Sequence, residues 1–241
     1  MLKEILKKII KWIPIAFTKN QQYDRQTVAI LKKVCKVDSN CLDVGCHKGE
    51  ILDIILQIAP KGVHHGFEPI PVLYTSLVDK YNQQSNVHIH NVALSNSTGT
   101  SSFNYVSSNP AYSGLQKRKY DNPNEVDTSI TVQTQLLDEL LPQNNTVDFI
   151  KIDVEGGELW VLQGAIETIK KYRPIIIFEC GIGGTDCYKV TPDTVFQYFD
   201  SIGYKISLMK EYLDDTKHAF SLEQFQQQFF QQHNYYFIAY P

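Results

Sequence analysis

The chain lacks most of what marks the specialised classes. Its five cysteines, Cys35, Cys41, Cys46, Cys180 and Cys187, are odd in number and form no CxxC pair. That argues against a zinc knuckle and a disulfide framework, and it fits a reducing cytoplasm. No apolar run approaches the ~20 residues of a membrane span. Neither sign of charge dominates, since 23 Lys and Arg stand against 26 Asp and Glu for a formal net charge of −3. Without a long basic stripe, nucleic acid is not an expected partner. There is no internal repeat. What remains is a chain of 241 residues, 43% hydrophobic, which suits one α/β core and is short for a second full domain.

The N-terminus has a pattern of its own. On a helical wheel Leu2, Ile5, Leu6, Ile9, Ile10, Trp12 and Ile13 share one arc, and Lys3, Glu4, Lys7, Lys8 and Lys11 share the other. This predicts a basic amphipathic helix ending near Pro14. Lysines interrupt any apolar core along the sequence, so it is not a secretory signal. We assign residues 1–39 to an amphipathic helix and cap, and residues 40–241 to the main domain. The helix either packs its apolar face on that domain or associates weakly with a membrane surface through residues 1–13. The second role would hold a cytoplasmic protein at the inner face of the membrane.

From residue 40, strand and helix alternate. Strands are expected at 40–44, 63–68, 87–92, 147–152 and 174–180, and helices at 50–59, 71–81, 158–172 and 191–201. Proline in the first turn of 71–81 fits a helix start. Residues 96–128 break the rhythm, with extra strands at 101–106 and 129–134 and a short helix at 136–141. Strands at 204–209 and 235–240 close the chain and can pair antiparallel at a sheet edge. The glutamine-rich stretch 224–232 reads as a polar surface helix. Alternating strands and helices imply right-handed crossovers and a mostly parallel sheet. The fold class is therefore α/β and Rossmann-like, with an antiparallel edge strand.

In such a sheet, ligands bind beyond the carboxyl ends of the strands. The residues there are Asp43, Glu68, Asn91, Asp153 and Glu179, of which four are acids. The first turn, Leu42-Asp43-Val44-Gly45-Cys46-His47-Lys48-Gly49, is the most telling. Gly45 can take positive φ at a tight turn, and Gly49 lets the next helix pack close. The helix N-terminus offers amides to an anion, while Asp43 can hold a cation. A ligand carrying both carboxylate and ammonium fits, and the amino-acid end of S-adenosylmethionine is one. A dinucleotide fingerprint would want glycines at 45, 47 and 50, where His47 and Glu50 fail it. Asp-x-Gly-x-x-x-Gly is similar to the pattern of S-adenosylmethionine-dependent methyltransferases.

Glu68 lies 25 residues after Asp43, near the spacing at which an acid accepts bonds from ribose hydroxyls. Pro69 and Ile70 would wall adenine on one side, and Asn91 to Ala93 would border the other. Asp153-Val154-Glu155-Gly156-Gly157-Glu158 places three carboxylates at a strand-to-helix turn, which requires pairing, protonation or a ligand. Asp153 is expected to face the donor and Glu155 the acceptor, with Glu158 stabilising the helix start. A divalent ion on Asp153, Glu155 and Glu179 would need further oxygens, and no metal is assigned.

Ile150-Lys151-Ile152-Asp153-Val154-Glu155-Gly156-Gly157-Glu158, followed by Val161-Leu162-Gln163-Gly164-Ala165, closely resembles the FkbM family of methyltransferases. The Asp43 turn, Phe67-Glu68-Pro69, Asn91-Val92-Ala93-Leu94-Ser95 and Leu137-Asp138-Glu139-Leu140 resemble its other motifs in order. The resemblance implies a Rossmann-like fold, S-adenosyl-L-methionine as donor and, commonly, O-methylation of a sugar or natural product. His47 departs from the family's usual turn and is within reach of the ligand.

An alcohol attacks a methyl group poorly unless its proton can leave, so a base is expected. Glu155, Glu179 and His47 are the candidates, in that order. Asp43, Gly45, His47, Gly49, Glu68, Pro69, Asn91, Ala93 and Asp153 are the expected donor contacts. The loop 104–128 carries Tyr105, Tyr112, Ser113, Lys117, Arg118, Lys119 and Tyr120. It suits a lid over a small polar or glycan acceptor. Two other readings stand beside this one: a catalytically silent methyltransferase-like scaffold and a nicotinamide-dependent oxidoreductase.

Overall fold

A computed structural model describes residues 18–120, 122–142, 145–216 and 218–241. The amphipathic helix expected at 1–13 lies outside the described residues, and with it the membrane-surface role. Among the described residues no helix is long and apolar enough to cross a membrane.

The chain opens with α1 (Lys19–Val34). It then alternates through β1 (Cys41–Val44), α2 (Glu50–Ile58), β2 (His64–Phe67), α3 (Pro71–Tyr81) and β3 (Val87–His90). Three strands follow, β4 (Ala93–Leu94), β5 (Gly99–Val106) and β6 (Asp127–Gln135), and form a small sheet of order β4-β6-β5. After α4 (Leu137–Leu140) come β7 (Phe149–Ile152), α5 (Glu158–Gln163), α6 (Ile166–Tyr172) and β8 (Ile175–Glu179). The chain closes with α7 (Pro192–Ser201), β9 (Lys205–Ser207), α8 (Met209–Leu213), α9 (Leu222–Phe230) and β10 (Tyr236–Tyr240).

The main sheet has seven strands in the order β3-β2-β1-β7-β8-β10-β9. The first five run parallel, and β10 runs antiparallel between β8 and β9. The chain winds outward from β1 to β3, then returns to lay β7 against β1. Asp43 pairs with Lys151 and Val44 with Ile152 in register. The winding direction therefore reverses between β1 and β7, where open α/β sheets form their ligand crevice.

Every residue of β1, β2 and β7 is buried, as strands covered on both faces require. Alternation sends Leu42, Ile150, Ile152, Ile176 and Phe178 to one layer with α5, α6 and α7. It sends Cys41, Phe149, Ile177 and Ile238 to the other, with α1 and α2. Segment 18–39, assigned with the N-terminal cap, contributes to this second layer. Thr18 caps α1 by accepting from the Gln21 amide, and Tyr23, Thr27, Ile30 and Leu31 form its buried stripe.

Three elements differ from expectation. The helix read as 158–172 is two: Ala165 leaves helical geometry at φ −117° and ψ 11°, and Asp138 accepts from the Glu167 and Thr168 amides that open the second helix. The strand read as 204–209 shortens to Lys205–Ser207, since Met209 and Tyr212 turn into a helical face buried with α1. The glutamine-rich helix is polar only outside, because Phe225 and Phe229 are core residues.

Histidines gather where β2 meets β3. His65 and His90 rings contact at 3.0 Å between Nδ1 and Nε2, and His88 lies beside His65 in register. Burial, then the neighbouring imidazoles, pushes His65 down to about 3 and His90 to about 4. A free imidazole protonates near pH 6.5, so below that pH the unfolded chain binds more protons than the native one. The contribution of neutral His65 is thus present above pH 6.5 and lost as pH falls. His64, His88, His90 and Asn145 are the groups facing it. Relative to His65→Asn, the wild type should lose about 2 kcal/mol between pH 6.5 and 5. Urea unfolding of both proteins across that range checks this, and a pH-independent difference would refute it.

Candidate active site

The turn after β1 is held by backbone geometry. Gly45 has φ 79° and its amide donates to the Phe67 carbonyl at 3.0 Å. A Cβ there would stand 1.9 Å from the Asp153 carbonyl oxygen, so the ends of β1 and β7 meet only across a glycine. His47 also has positive φ, 49°, and its amide donates to Glu68 Oε2 at 3.0 Å. Glu68 Oε1 accepts from the Ile70 amide at 2.9 Å. Glu68 therefore ties the β1 and β2 turns together while facing the cavity beneath Pro69 and Ile70. Gly49 and Asn91 sit one step back and line neither main cavity. Gly49 caps α2 against the Tyr81 hydroxyl, and Asn91 Nδ2 donates to the Glu68 and Pro69 carbonyls at 2.9 and 3.1 Å.

Two cavities open at the strand ends. The smaller, about 70 Å³, is an apolar slot among Phe67, Pro69, Ile70, Ala93 and Leu115, with Glu68 at its polar side. The larger, about 1160 Å³, runs from Asp43 past Glu179 to Asn20 and Asp24 of α1 and to Asn234 and Tyr235. Gly45, His47, Asp153 and Glu155 line both, so they form the junction. The expected donor and catalytic residues other than Gly49 and Asn91 thus converge on one crevice. The larger cavity is walled by α1 and the C-terminal segment as well as by the predicted loop.

The carboxylates are not equivalent. Burial raises Asp43 to about 6 against the pull of Lys151, and Oδ1 is buried with no hydrogen-bond partner among the described residues. Burial raises Glu68 to about 7, opposed by the Ile70 and His47 amides. Asp153 is pushed up by burial, but the Lys151 ammonium at 2.8 Å and the Tyr236 hydroxyl bring it below the usual carboxylate range. Glu179 is pushed well above the usual carboxylate range by burial and by the charges of Asp153 and Glu158. Glu155 sits at φ 60° and pairs with Arg118. Glu158 is structural, as read from the sequence: its Oε1 accepts from the Val154 and Gly156 amides at 3.0 and 3.2 Å.

Asp153, Glu155 and Glu179 bring ligand atoms within 4.8 Å of one another. Two of the three already carry a protein cation, Lys151 and Arg118. The donor set suits a charge-paired cluster better than a cage for a hard divalent ion.

Sequence reasoning gave no role to Lys151, Tyr236 or the α1 residues. A signal existed for Lys151, because a lysine inside the apolar run Phe149-Ile150-Lys151-Ile152 must find buried partners. Tyr236 and α1 reach the site only through tertiary packing, which no local pattern announces.

A parallel sheet with its crevice at the winding reversal, a glycine turn and strand-end acids defines the Rossmann-like methyltransferase class. The solved methyltransferase FkbM of Methylobacillus flagellatus KT shares this fold, with a TM-score of 0.53 and 16% identity. The match covers 86% of this chain and 44% of that one, so this chain spans less than half of that solved chain. Residues 43–206, more than half of the sequence, match the methyltransferase FkbM domain. The chain belongs to the FkbM methyltransferase family. It is also 27% identical over 173 residues to the 2-O-methyltransferase NoeI of Sinorhizobium fredii, covering 65% of this chain and 68% of that protein.

The cofactor that this membership indicates is S-adenosyl-L-methionine, and the residues present fit it. Buried, unpartnered Asp43 Oδ1 matches an ammonium. The turn amides expected to bind a carboxylate are instead committed within the protein, Gly45 and Cys46 to the Phe67 carbonyl, His47 to Glu68 and Gly49 to the Cys46 carbonyl, while the apolar slot beside Glu68 has the lining for an adenosine.

Proposed function

We propose that the protein transfers a methyl group from S-adenosyl-L-methionine to a hydroxyl of a sugar, polysaccharide or natural product. The observation that carries the donor side is Asp43 Oδ1, buried and without a hydrogen-bond partner at the crevice between β1 and β7. The acceptor side rests on the family and on the larger cavity, whose outer wall sets Asn20, Asn234 and Tyr235 beside the charged Asp24 and Arg25, groups that hydrogen-bond hydroxyls. NoeI, a 2-O-methyltransferase, supports oxygen as the accepting atom.

When bound, the donor supplies an electrophilic methyl group on a sulfonium. Asp43 and the Gly45 turn orient its amino-acid end, and Glu68 with Ile70 holds its adenosine. The residues at the cavity junction hold the accepting oxygen in line and exclude water. Glu155, facing both cavities, takes the hydroxyl proton.

Calorimetric titration with S-adenosylmethionine tests the placement. Asp43→Asn and Glu68→Gln should each lose about 1.5–3 kcal/mol of binding, the range for a hydrogen bond to a charged group. Undiminished affinity in both folded variants would place the donor elsewhere. Mass spectrometry of the product locates the methyl group, and transfer only to nitrogen or carbon would refute the acceptor reading.

A further inference from the structure

The segment 107–120 connects the two cavities. Its Pro110, Ala111, Ser113 and Leu115 roof the smaller cavity, while Ala111, Tyr112 and Arg118 wall the larger. At its base it is bonded to its own hairpin, with Asn104 and Gly114 exchanging backbone bonds of 2.8 and 3.1 Å. Across the cleft two ties hold it. The Gln116 amide donates to the Tyr188 hydroxyl at 3.1 Å, and the Arg118 guanidinium grips Glu155. Both partners of the ion pair are largely buried, at 15% and 14% side-chain exposure. Tyr112 stacks on the guanidinium with its ring centre 4.9 Å from Cζ, and Arg118 Nε is buried without a hydrogen-bond partner among the described residues.

Two facts make this contact more than a surface salt bridge. First, the roofed slot holds about 70 Å³, well under the roughly 300–1,000 Å³ of sites for ligands of this size. The lining of the slot suits an adenosine, but the roof must shift outward to admit one and settle back over it. Second, Glu155 has little freedom of its own. It is in the left-handed region, and a Cβ on the next residue, Gly156, would stand 2.3 Å from the Gly184 carbonyl. The backbone is fixed, so the carboxylate's direction is set by what it grips.

Resting on the proposed reading of the site, we infer that Arg118 is a positioning residue that couples roof closure to the setting of Glu155. With the roof open, donor enters and Glu155 has no fixed direction. With the roof closed, the same guanidinium pins the roof and aims the carboxylate at the cavity junction. Proton abstraction is then available only when water is excluded.

The test compares wild type with R118Q, R118K and E155Q, using S-adenosylhomocysteine as an unreactive probe. Hydrogen exchange at the Gln116 amide reports the closed roof without reference to activity. R118Q and E155Q should each speed that exchange about tenfold, R118K less, and the double variant R118Q/E155Q no more than the faster single. Probe should slow exchange in wild type. Turnover of R118Q should fall about tenfold or more, with the dissociation constant of the probe changed less than about threefold, and R118K should recover part of the loss. Unchanged Gln116 exchange in R118Q, or additive effects in the double variant, would overturn the inference. If exchange responds to the variants but no probe binds, the latch stands and the donor reading fails.

Discussion

Lys151→Met should destabilise the protein by about 3–5 kcal/mol, the range for removing one partner of a buried charge pair. At this chain length that is roughly 6–20 °C in melting temperature. Lys151 is 8% exposed, pairs with Asp43 across the β1–β7 register and holds Asp153 at 2.8 Å. Without it, two carboxylates remain at the sheet's centre with no cation between them. The pH dependence has a definite sign. Asp43 already titrates at about 6 in the native state, above the ordinary value near 3.9. Losing the ammonium raises it further, so the folded variant takes up protons that the unfolded chain does not. The deficit is therefore full above the native pKa and shrinks as pH falls toward 4. The double variant K151M/D153N should recover part of the loss. Calorimetric melting at pH 8 and pH 5 decides it, and a loss below about 1 kcal/mol at pH 8 would show that the lysine is not the cluster's cation.

The same lysine shows where sequence reasoning reached and where it stopped. Strand positions were legible because β1, β7 and β8 are short apolar runs bounded by glycine, proline or acid. The site's acids were legible because they stand at strand ends, and a parallel sheet puts all its strand ends on one edge. Pairings among side chains were not. That Asp153 is held by Lys151 and Tyr236, and Glu155 by Arg118, depends on which strand lies beside which and on how segment 107–120 folds back. Spacing along the chain announces neither Tyr236 nor Arg118, although Lys151 and Asp153, two residues apart, share one strand face. The α1 wall was hidden for another reason. Its stripe Tyr23, Thr27, Ile30, Leu31 has helical period, but it follows a stronger amphipathic pattern at 2–13 that drew the reading of the whole N-terminus. The two-helix break after Gly164 was likewise invisible, because the cap of the second helix is Asp138, which is remote in sequence.

Glu155→Gln should lower turnover by a factor of about 10²–10⁴, the contribution of a positioned general base, while leaving the melting temperature close to wild type. Of the three expected bases it is the one whose environment suits the task. Burial and the adjacent Asp153 and Glu158 charges disfavour ionisation of Glu179 and push its carboxyl upward. His47 has its backbone amide committed to Glu68 and its ring turned toward Glu50, with Nδ1 3.9 Å from a carboxylate oxygen. Glu155 faces both cavities and is paired with a cation, which favours its charged form. Glutamine preserves the length and still accepts from Arg118, so the roof contact weakens without vanishing. Asp153→Asn is the informative contrast. Asp153 was expected to face the donor, and its bond to buried Lys151 gives it a part in the fold as well. That variant should lose stability as well as rate. Initial rates with labelled donor and a neutral glycan acceptor, alongside melting curves, separate the cases. If Glu155→Gln keeps turnover within about threefold of wild type while Glu179→Gln or His47→Asn abolishes it, the base belongs to one of those residues instead.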